Sequence, residues 1–420
     1  MEITAGRSER HAKLRPWQHG MIFLLACVVI ILRRPDAIFH AQLYAEDGHV
    51  WFADAYNLGW WHALFQAHTG YYQTLPRLGA SLALLVPFAL APLVLNLIAI
   101  AVMAMPANIL LSSRSAAWGS LRSRALLVSV YLVLPNCAEI SYGITESQWL
   151  MALSAFFVLA ASTPRNIAGR VFDLGVVLLC GLTGPFCILL LPLAVVLALK
   201  RPSRWRWFVA GTLALLCLIQ IWALLVVDPA GRTGAVTGAS PALFARILGG
   251  QVYLATLLGA NGLAARSGLI ALFCCIAVAG TALVAIHFAM GNLVRKLFLL
   301  FSAMLFIVSL ISPTGSIPGG LPSWHSLASA AAIRYWFFPS LAFAWSLIWC
   351  SCQPSRALRI VSTSLLCLMC FGIVRDWLHP PLHDMNFAEH AHRFASAPLG
   401  EMIAIPLNPN GWNMRLVKHE

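Results

Sequence analysis

The sequence predicts an all-α polytopic membrane protein with about 11 transmembrane helices, within a range of about 10 to 13. Three observations predict this class. Hydrophobic residues make up 60% of the 420 residues and charged residues only 10%, whereas a soluble domain carries about 25% charged residues. Mean hydropathy is +0.79. Apolar runs of roughly 17 to 25 residues, which is the length of a membrane-crossing helix, recur from Gly20 to Val374.

The formal net charge of +13 follows the pattern of membrane topology. The basic residues gather in short loops, namely RSERHAKLR, SSRSAAWGSLRSR, TPRNIAGR, KRPSRWRW, NLVRK and CQPSRALR. Short loops rich in Lys and Arg stay on the cytoplasmic side of a membrane. The charge therefore indicates membrane topology and excludes a nucleic-acid partner.

These loops divide the chain into three parts. We expect a cytoplasmic N-terminal tail over residues 1–19, a transmembrane domain over 20–374 and a periplasmic C-terminal tail over 375–420. The first periplasmic loop covers 34–76, and its aromatic residues at helical spacing predict interfacial helices. The apolar run from Arg77 to Leu111 is long for one crossing and short for two, so we expect one kinked or partly re-entrant crossing.

The first periplasmic loop concentrates chemistry that is rare elsewhere in this chain. It contains the acidic pair Glu46 and Asp47, from only 15 acidic residues in total. Acidic residues beside membrane spans are costly unless they are paired or used. Repulsion between neighbouring carboxyls leaves one of them as a proton acceptor, so Glu46 or Asp47 is predicted as a catalytic base. The alternative interpretation is a helix cap at the start of an apolar run.

Further polar residues are predicted to face the same compartment. Arg77 and Arg334 are candidates to bind phosphate, with snorkelling to lipid headgroups as the alternative. Glu139 and Glu146 are candidates to orient an acceptor or hold a metal, with a structural ion pair as the alternative. The predicted substrate-binding set is Arg77, Tyr71, Tyr72, Glu139, Glu146, Gln148, Trp149, His325, Arg334 and Tyr335. No metal-ligand spacing is predicted, because the tail histidines are loosely spaced.

Several short motifs carry a resemblance to a known class of enzymes. They are AEDG with FADA, GYYQTLPRL, PNCAEISYGITESQW, TGPF and RYWFFP, in that order along the chain. An acidic pair in the first outer loop, followed by surface helices, resembles the C-type glycosyltransferase fold (GT-C). The motifs together look like a group of bacterial membrane proteins described as glycosyltransferases. The catalytic carboxylate of that fold maps onto Asp47 or Glu46.

The resemblance implies an inverting glycosyltransferase in the bacterial inner membrane with a periplasmic active site. Its donor is a polyprenyl-phosphate sugar, and its acceptor is a cell-envelope glycan or lipid. It implies no certain cofactor and leaves a divalent cation open. Two alternatives stay open at this point: a transporter or flippase of lipid-linked saccharides, and an enzyme of the O-antigen polymerase or ligase type. Many such enzymes carry a large soluble outer domain, and here only the tail of about 46 residues could form one.

Overall fold

The computed structural model describes residues 14–229, 236–260, 262, 268–313 and 322–419. The first 13 residues of the predicted cytoplasmic tail lie outside the described residues, and the first helix begins at Pro16. Helices dominate the described chain, and its four strands form two separate antiparallel pairs. Both pairs lie outside the long apolar helices.

The elements up to residue 200 follow one another with short connections. They are α1 (Pro16–Arg33), α2 (Asp36–Phe39), a π-helical turn (Asp47–Phe52) continuing into α3 (Ala53–Asn57), α4 (Trp60–Leu64), β1 (Ala67–His68), β2 (Tyr71–Tyr72), α5 (Thr74–Ala83), a 3-10 turn (Phe88–Leu90), α6 (Ala91–Leu111), a 3-10 turn (Ser113–Trp118), α7 (Leu121–Leu132), a 3-10 turn (Ala138–Ser141), α8 (Ser147–Ala160), α9 (Ile167–Gly181) and α10 (Phe186–Lys200).

The remaining described elements complete the helical bundle and end in a hairpin. They are α11 (Arg204–Trp222) with a π-helical end (Ala223–Val227), α12 (Pro241–Ala245) continuing through a π-helical segment (Arg246–Leu254) into α13 (Ala255–Leu258), α14 (Ile270–Met290), α15 (Leu293–Ile311), α16 (Ser323–Leu327), a 3-10 turn (Ala330–Trp336), α17 (Phe337–Cys350), α18 (Arg356–Arg375), α19 (Phe387–Ala395), β3 (Met402–Leu407) and β4 (Trp412–Val417).

Seven described helical segments are long and apolar enough to cross a membrane. They are Pro16–Arg33, Phe88–Leu111, Arg204–Val227, Pro241–Leu258, Ile270–Met290, Leu293–Ile311 and Arg356–Arg375. Two shorter apolar helices, α8 and α10, accompany them. A chain with this many apolar helices is a multi-pass membrane protein, so the predicted fold class is confirmed at that level.

The centre of the bundle is built around α8, in which all 14 residues are buried. Aromatic rings pack edge to face beside it. The ring centroid of Trp118 lies 5.5 Å from that of Phe157 and 5.3 Å from that of Trp345. Such pairs add about 0.5 to 1.5 kcal/mol beyond the apolar area that they bury. A helix that is apolar on all sides is expected in the interior of such a bundle.

The loops at the two ends of the bundle differ in charge. At the basic end, Arg114 pairs with Asp173 at 2.6 Å, and Arg206 donates to carbonyl oxygens of Leu159 and Ala161 at the end of α8. The opposite, acidic end carries the first loop, the segment from 134 to 146 and the C-terminal tail. Among the described acidic residues, all except Asp173 and Asp228 lie in these segments, and Asp228 contacts the first loop, since its Oδ2 accepts from the Gly70 N–H.

Two long apolar stretches of the sequence each form two helices joined by a turn. Between Arg77 and Leu111 the structure has the end of a short helix, α5, a turn, and one long helix, α6. The long helix is a candidate span together with the turn before it, and the single kinked or re-entrant crossing stays a prediction. The run from Val171 to Leu199 forms parts of α9 and α10, which meet at a turn containing Gly184. That glycine has φ +89°, a conformation that residues with a Cβ rarely adopt.

The C-terminal tail packs onto the first loop, so it is not a separate unit. We call this body the acidic-end lobe; it comprises the helix Asp47–Asn57, α19 and the β3–β4 hairpin. Its core includes Phe52, Phe394 and Ile405. The Asn57 side chain bonds the backbone of Arg415 and Val417 along β4. The tail could not be placed from sequence because these contacts join segments more than 350 positions apart.

The helical spacing predicted for the first loop is only partly correct. Trp51 and Ala55 are buried on one continuous helix, but Gly59 (φ +84°) interrupts it. Trp61 lies on the separate α4 and is 56% exposed. The aromatic residues therefore divide into a buried set, which holds the lobe, and an exposed set suited to the membrane interface.

Candidate functional site

Asp47 anchors the first loop to the segment that precedes α8. Its Oδ1 accepts hydrogen bonds from the backbone N–H of Thr145 (3.0 Å) and from the Thr145 hydroxyl (2.6 Å). Its Oδ2 accepts from the N–H of Ile144 (3.1 Å). The side chain is 1% exposed. Both oxygens are thus occupied, which makes Asp47 a positioning group in this arrangement.

Gly143 lets the two segments approach this closely. A Cβ at this position would lie 2.0 Å from Asp47 Oδ2. No side chain could be accommodated without moving the carboxylate. The motifs AEDG and GITES therefore form one contact, in which a carboxylate receives the N–H groups of a tight backbone turn.

Glu46, the other member of the acidic pair, has a different environment. Its side chain is half-buried, and within the described residues no hydrogen bond to its carboxylate occurs. It interacts electrostatically with Asp47, His68, Glu146 and Arg334. Glu46 is therefore the member of the pair whose oxygens are free to accept a proton from a ligand.

A second cluster joins Glu139, Arg334 and Glu146. Glu139 accepts from the Arg334 backbone N–H at 2.9 Å and from its guanidinium. Arg334 Nη1 lies 4.0 Å from Glu146 Oε1, and Glu146 Oε2 has no hydrogen-bond partner among the described atoms. Burial raises the pKa of Glu146 well above its ordinary value, against the attraction of Arg334. The single positive charge of Arg334 can balance only one of the two carboxyl groups, so Glu146 binds a proton more readily than an ordinary glutamate does.

A cavity of about 330 Å³ opens beside this cluster. Its lining includes Tyr44, Glu139, Tyr142, Arg375 and His379. The rings of Tyr44 and Tyr142 lie 5.2 Å apart, and burial raises the pKa of Tyr142 to about 12. Both phenols therefore stay protonated and can donate hydrogen bonds. The cavity combines aromatic faces, hydroxyl groups, the two carboxylates of Glu139 and Asp376 and one exposed guanidinium, which suits a polar ligand.

Arg77 is neither at the surface nor free. It is 1% exposed, its Nη1 lies 2.9 Å from Asp54 Oδ2, and its guanidinium carbon lies 5.0 Å from the Trp51 ring centroid. The indole N–H of Trp51 donates to the Thr145 hydroxyl at 2.8 Å. A continuous chain of contacts thus leads from Arg77 to Asp47, an arrangement that neither the phosphate nor the snorkelling interpretation predicts.

The other predicted binding residues fall into groups. The ring of Trp149 lies 5.6 Å from that of Tyr335, and Arg334, which lies 4.0 Å from Glu146, lies over Tyr335 at 5.0 Å, so these three residues form one group. Tyr71 is buried and Tyr72 half-buried in the β1–β2 hairpin. Gln148 is buried against Gly184. His325 is exposed on α16 and lies outside these groups.

Five of the cavity residues named above, Tyr44, Tyr142, Arg375, Asp376 and His379, were not among the predicted binding residues. Tyr44 and His379 belong to segments that meet only in the fold. Arg375 ends the last long helix and looks in sequence like an ordinary basic flank of a membrane span. Arg375 was predicted to lie on the periplasmic side, whereas basic residues that flank a membrane span are expected on the cytoplasmic side. This difference was the signal that the sequence offered.

The described residues contain no group of three or more His, Cys, Asp or Glu side chains that could hold a metal ion.

Comparison with protein-family models and with curated protein sequences yields no match. The resemblance to C-type glycosyltransferases therefore depends on the short motifs alone. A functional assignment for this chain therefore depends on the geometry of the site.

The environment of Asp47 leads to a pH-dependent prediction. Burial raises the pKa of this carboxyl from 3.8 to about 7, so the folded chain binds the proton more tightly than the unfolded chain does. Its contribution to stability is complete below about pH 4 and is lost as the pH rises to about 7. Relative to an Asp47→Asn variant, which cannot titrate there, the wild type should lose apparent melting temperature over this range and then level off.

This prediction can be checked by thermal denaturation of both proteins in detergent, over pH values from about 4 to about 8. Parallel pH curves for the two proteins would contradict the raised pKa of Asp47.

Proposed function

We propose that this chain is an inverting glycosyltransferase that moves a sugar from a polyprenyl-phosphate donor to a cell-envelope glycan or lipid acceptor. The observation that carries the proposal is the difference in hydrogen bonding between the two neighbouring carboxylates of the first loop, Glu46 and Asp47. Asp47 is held by three hydrogen bonds, while Glu46 beside it is free to accept a proton. Glu46 lies two positions along the chain from Tyr44, which lines the cavity, and a carboxylate that is free to accept a proton is what general-base catalysis on a hydroxyl group requires.

In this proposal, Glu46 takes the proton from an acceptor hydroxyl. The hydroxyl oxygen attacks the anomeric carbon of the donor sugar, the bond from that carbon to the phosphate oxygen breaks, and the electron pair leaves with the phosphate. A single displacement inverts the configuration at the anomeric carbon. The contact between Asp47 and the turn at Gly143 fixes the position of the Glu46 backbone relative to the TESQW segment. Trp149, Tyr335 and the tyrosines of the cavity offer faces and hydroxyl groups for a sugar.

Cations near the site would stabilise the charge that develops on the leaving phosphate. Arg334 lies in the centre of the acidic cluster, and the exposed guanidinium of Arg375 lines the cavity. Arg77 would have to give up Asp54 to take this role, so its direct contact with phosphate stays a prediction. A requirement for a divalent cation also stays open.

The proposed topology has eleven crossings in a bacterial inner membrane, with the acidic end in the periplasm. The crossing helices are α1, the six helices from α6 to α11, α14, α15, α17 and α18. The segment Pro241–Leu258 is left out because the residues flanking it bond to the acidic end: Val236 O accepts from Ser323 N, and Ala260 N donates to Asp376. The short basic loops then lie in the cytoplasm, as the positive-inside rule requires.

The experiment that tests the function uses purified protein in liposomes with a panel of polyprenyl-phosphate sugars and crude envelope glycan. A glycosyltransferase releases free polyprenyl phosphate from one donor, and the release depends on the acceptor. A flippase instead moves the intact donor between leaflets without releasing the phosphate. Translocation without release would therefore overturn the proposal in favour of transport.

A further inference from the structure

Exposed cations gather at the basic end of the bundle, where α9 and α11 begin. We call this group the basic-end patch, and its members are Arg165, Arg170, Lys200, Arg201 and Arg204. Two contacts join the chain segments that carry them. The hydroxyl groups of Thr163 and Ser203 lie 3.4 Å apart, and the Arg170 guanidinium carbon lies 5.6 Å from the Trp205 ring centroid. The patch therefore consists of cations from two segments that meet in the fold.

The charge of the patch is not matched by carboxylates in the described part of the chain. Asp173 is the one described acidic residue at this end, and its two oxygens accept from the Arg114 guanidinium at 2.8 and 2.6 Å. Within the described residues, no member of the patch lies within ion-pair distance of a carboxylate. Arg201 also repels the neighbouring Arg206. The patch therefore has a strong positive potential that an anion would reduce.

The N-termini of two helices add to this potential. Asn166 caps the start of α9 and Ser203 caps the start of α11. A helix N-terminus carries the positive end of the helix dipole and favours acidic side chains in its first turn. Neither first turn contains an acidic residue, and α11 begins with Arg204. Cations at this end of a helix lower its stability unless an anion binds beside them, so the patch is suited to an external anion.

Large apolar side chains lie exposed beside the cations on the same two helices. On α9, Ile167 is 76% exposed and Val171 is 64% exposed; on α11, Trp207 is 46% exposed and Phe208 is 53% exposed. Tryptophan is enriched where a membrane meets water. A small soluble anion would contact only the cations, whereas a phospholipid would contact the cations with its headgroup and these side chains with its acyl chains. The surface therefore favours an amphiphilic anion.

From this juxtaposition we infer that the basic-end patch binds the headgroups of anionic phospholipids, with their acyl chains along the exposed sides of α9 and α11. Arginine suits this role because its planar guanidinium forms paired hydrogen bonds with phosphate oxygens. The proposed topology places this end in the cytoplasm, so the lipids would belong to the inner leaflet. The site lies at the opposite end of the bundle from Glu46 and does not depend on the proposed function.

A role in membrane topology alone is the alternative. Lys and Arg in short loops hold those loops on the cytoplasmic side, and that role needs no lipid at a particular place. Arg356 and Arg359 supply a matched comparison, because both are exposed at the same basic end and α18 begins with Arg356. They are three positions apart, as Arg201 and Arg204 are. General attraction to a charged membrane would treat the two pairs alike.

The experiment titrates the full chain in a non-ionic detergent and counts bound lipids by native mass spectrometry. The probes are phosphatidylglycerol, zwitterionic phosphatidylcholine and inorganic phosphate. The variants are the pair Arg201→Gln with Arg204→Gln, and the control pair Arg356→Gln with Arg359→Gln. Equal melting temperatures would show that both proteins are folded. Should the first pair not yield folded protein, Arg165→Gln with Arg170→Gln removes two other cations of the patch and takes its place.

We expect the loss of two patch cations to weaken binding of phosphatidylglycerol about tenfold or more. The control pair should bind this lipid nearly as the wild type does, and phosphatidylcholine should bind weakly to all three proteins. Unchanged phosphatidylglycerol binding in the patch variant would overturn the inference. An equal loss in the control pair would overturn it in favour of general attraction, and inorganic phosphate binding as tightly as the lipid would overturn it in favour of a free-anion site.

Discussion

Replacing Glu46 by glutamine is expected to lower the rate of sugar transfer roughly 100- to 10,000-fold, the range that a general base contributes. Glutamine keeps the size and polarity of the side chain but cannot take the proton from the acceptor. Because the Glu46 carboxylate accepts no hydrogen bond within the described residues, the variant should melt close to the wild-type temperature. The measurement is the initial rate of polyprenyl phosphate release at saturating donor.

Asp47→Asn is the matched control for this variant. In this variant the side-chain amide would turn an N–H group towards one of the two backbone N–H groups from which Asp47 now accepts a hydrogen bond. The main effect of the substitution should therefore be on stability. A full rate in Glu46→Gln, together with an abolished rate in a well-folded Asp47→Asn protein, would exchange the roles assigned to the two carboxylates.

Removing the Arg334 guanidinium should have the largest effect on stability. In Arg334→Met, the carboxylates of Glu139 and Glu146 lose the cation between them, and Glu139 is left buried without its partner. Breaking one side of a buried ion pair typically costs about 3 to 5 kcal/mol. We therefore expect a clear loss of apparent melting temperature in detergent, or a failure to accumulate folded protein.

A double variant separates charge from packing at this cluster. Adding Glu139→Gln to Arg334→Met removes the unpaired carboxylate and should restore a substantial part of the lost stability. Arg359→Met, at the exposed basic end of α18, should change little. If the double variant were no more stable than the single one, the loss would come from packing around Tyr335 and not from the unpaired charge.

Sequence reasoning succeeded where a signal is local. The apolar runs predicted the class of the protein, because their length and composition are those of membrane-crossing helices. The motifs AEDG and TESQW were both singled out, and the structure brings them into contact through Asp47, Ile144 and Thr145.

Other features of the site depend on contacts between distant segments. Glu46 and Asp47 are adjacent in sequence, so no spacing could tell which of them would be clamped by the Gly143 turn. Arg77 was expected to be available for phosphate, but its partner Asp54 lies 23 positions away on another helix. Arg375 looked like a membrane flank, and its cavity exists only because the 134–146 segment and the tail meet there.

The measurement that tests the central claim most directly is the configuration of the bond formed in a single turnover. A donor of known anomeric configuration is bound to the purified protein, acceptor is added, and the product is analysed by NMR for the wild type and for Glu46→Gln. Direct displacement assisted by Glu46 predicts an inverted product from the wild type and almost none from the variant. A product that retains the donor configuration, or an equal yield from Glu46→Gln, would contradict the account.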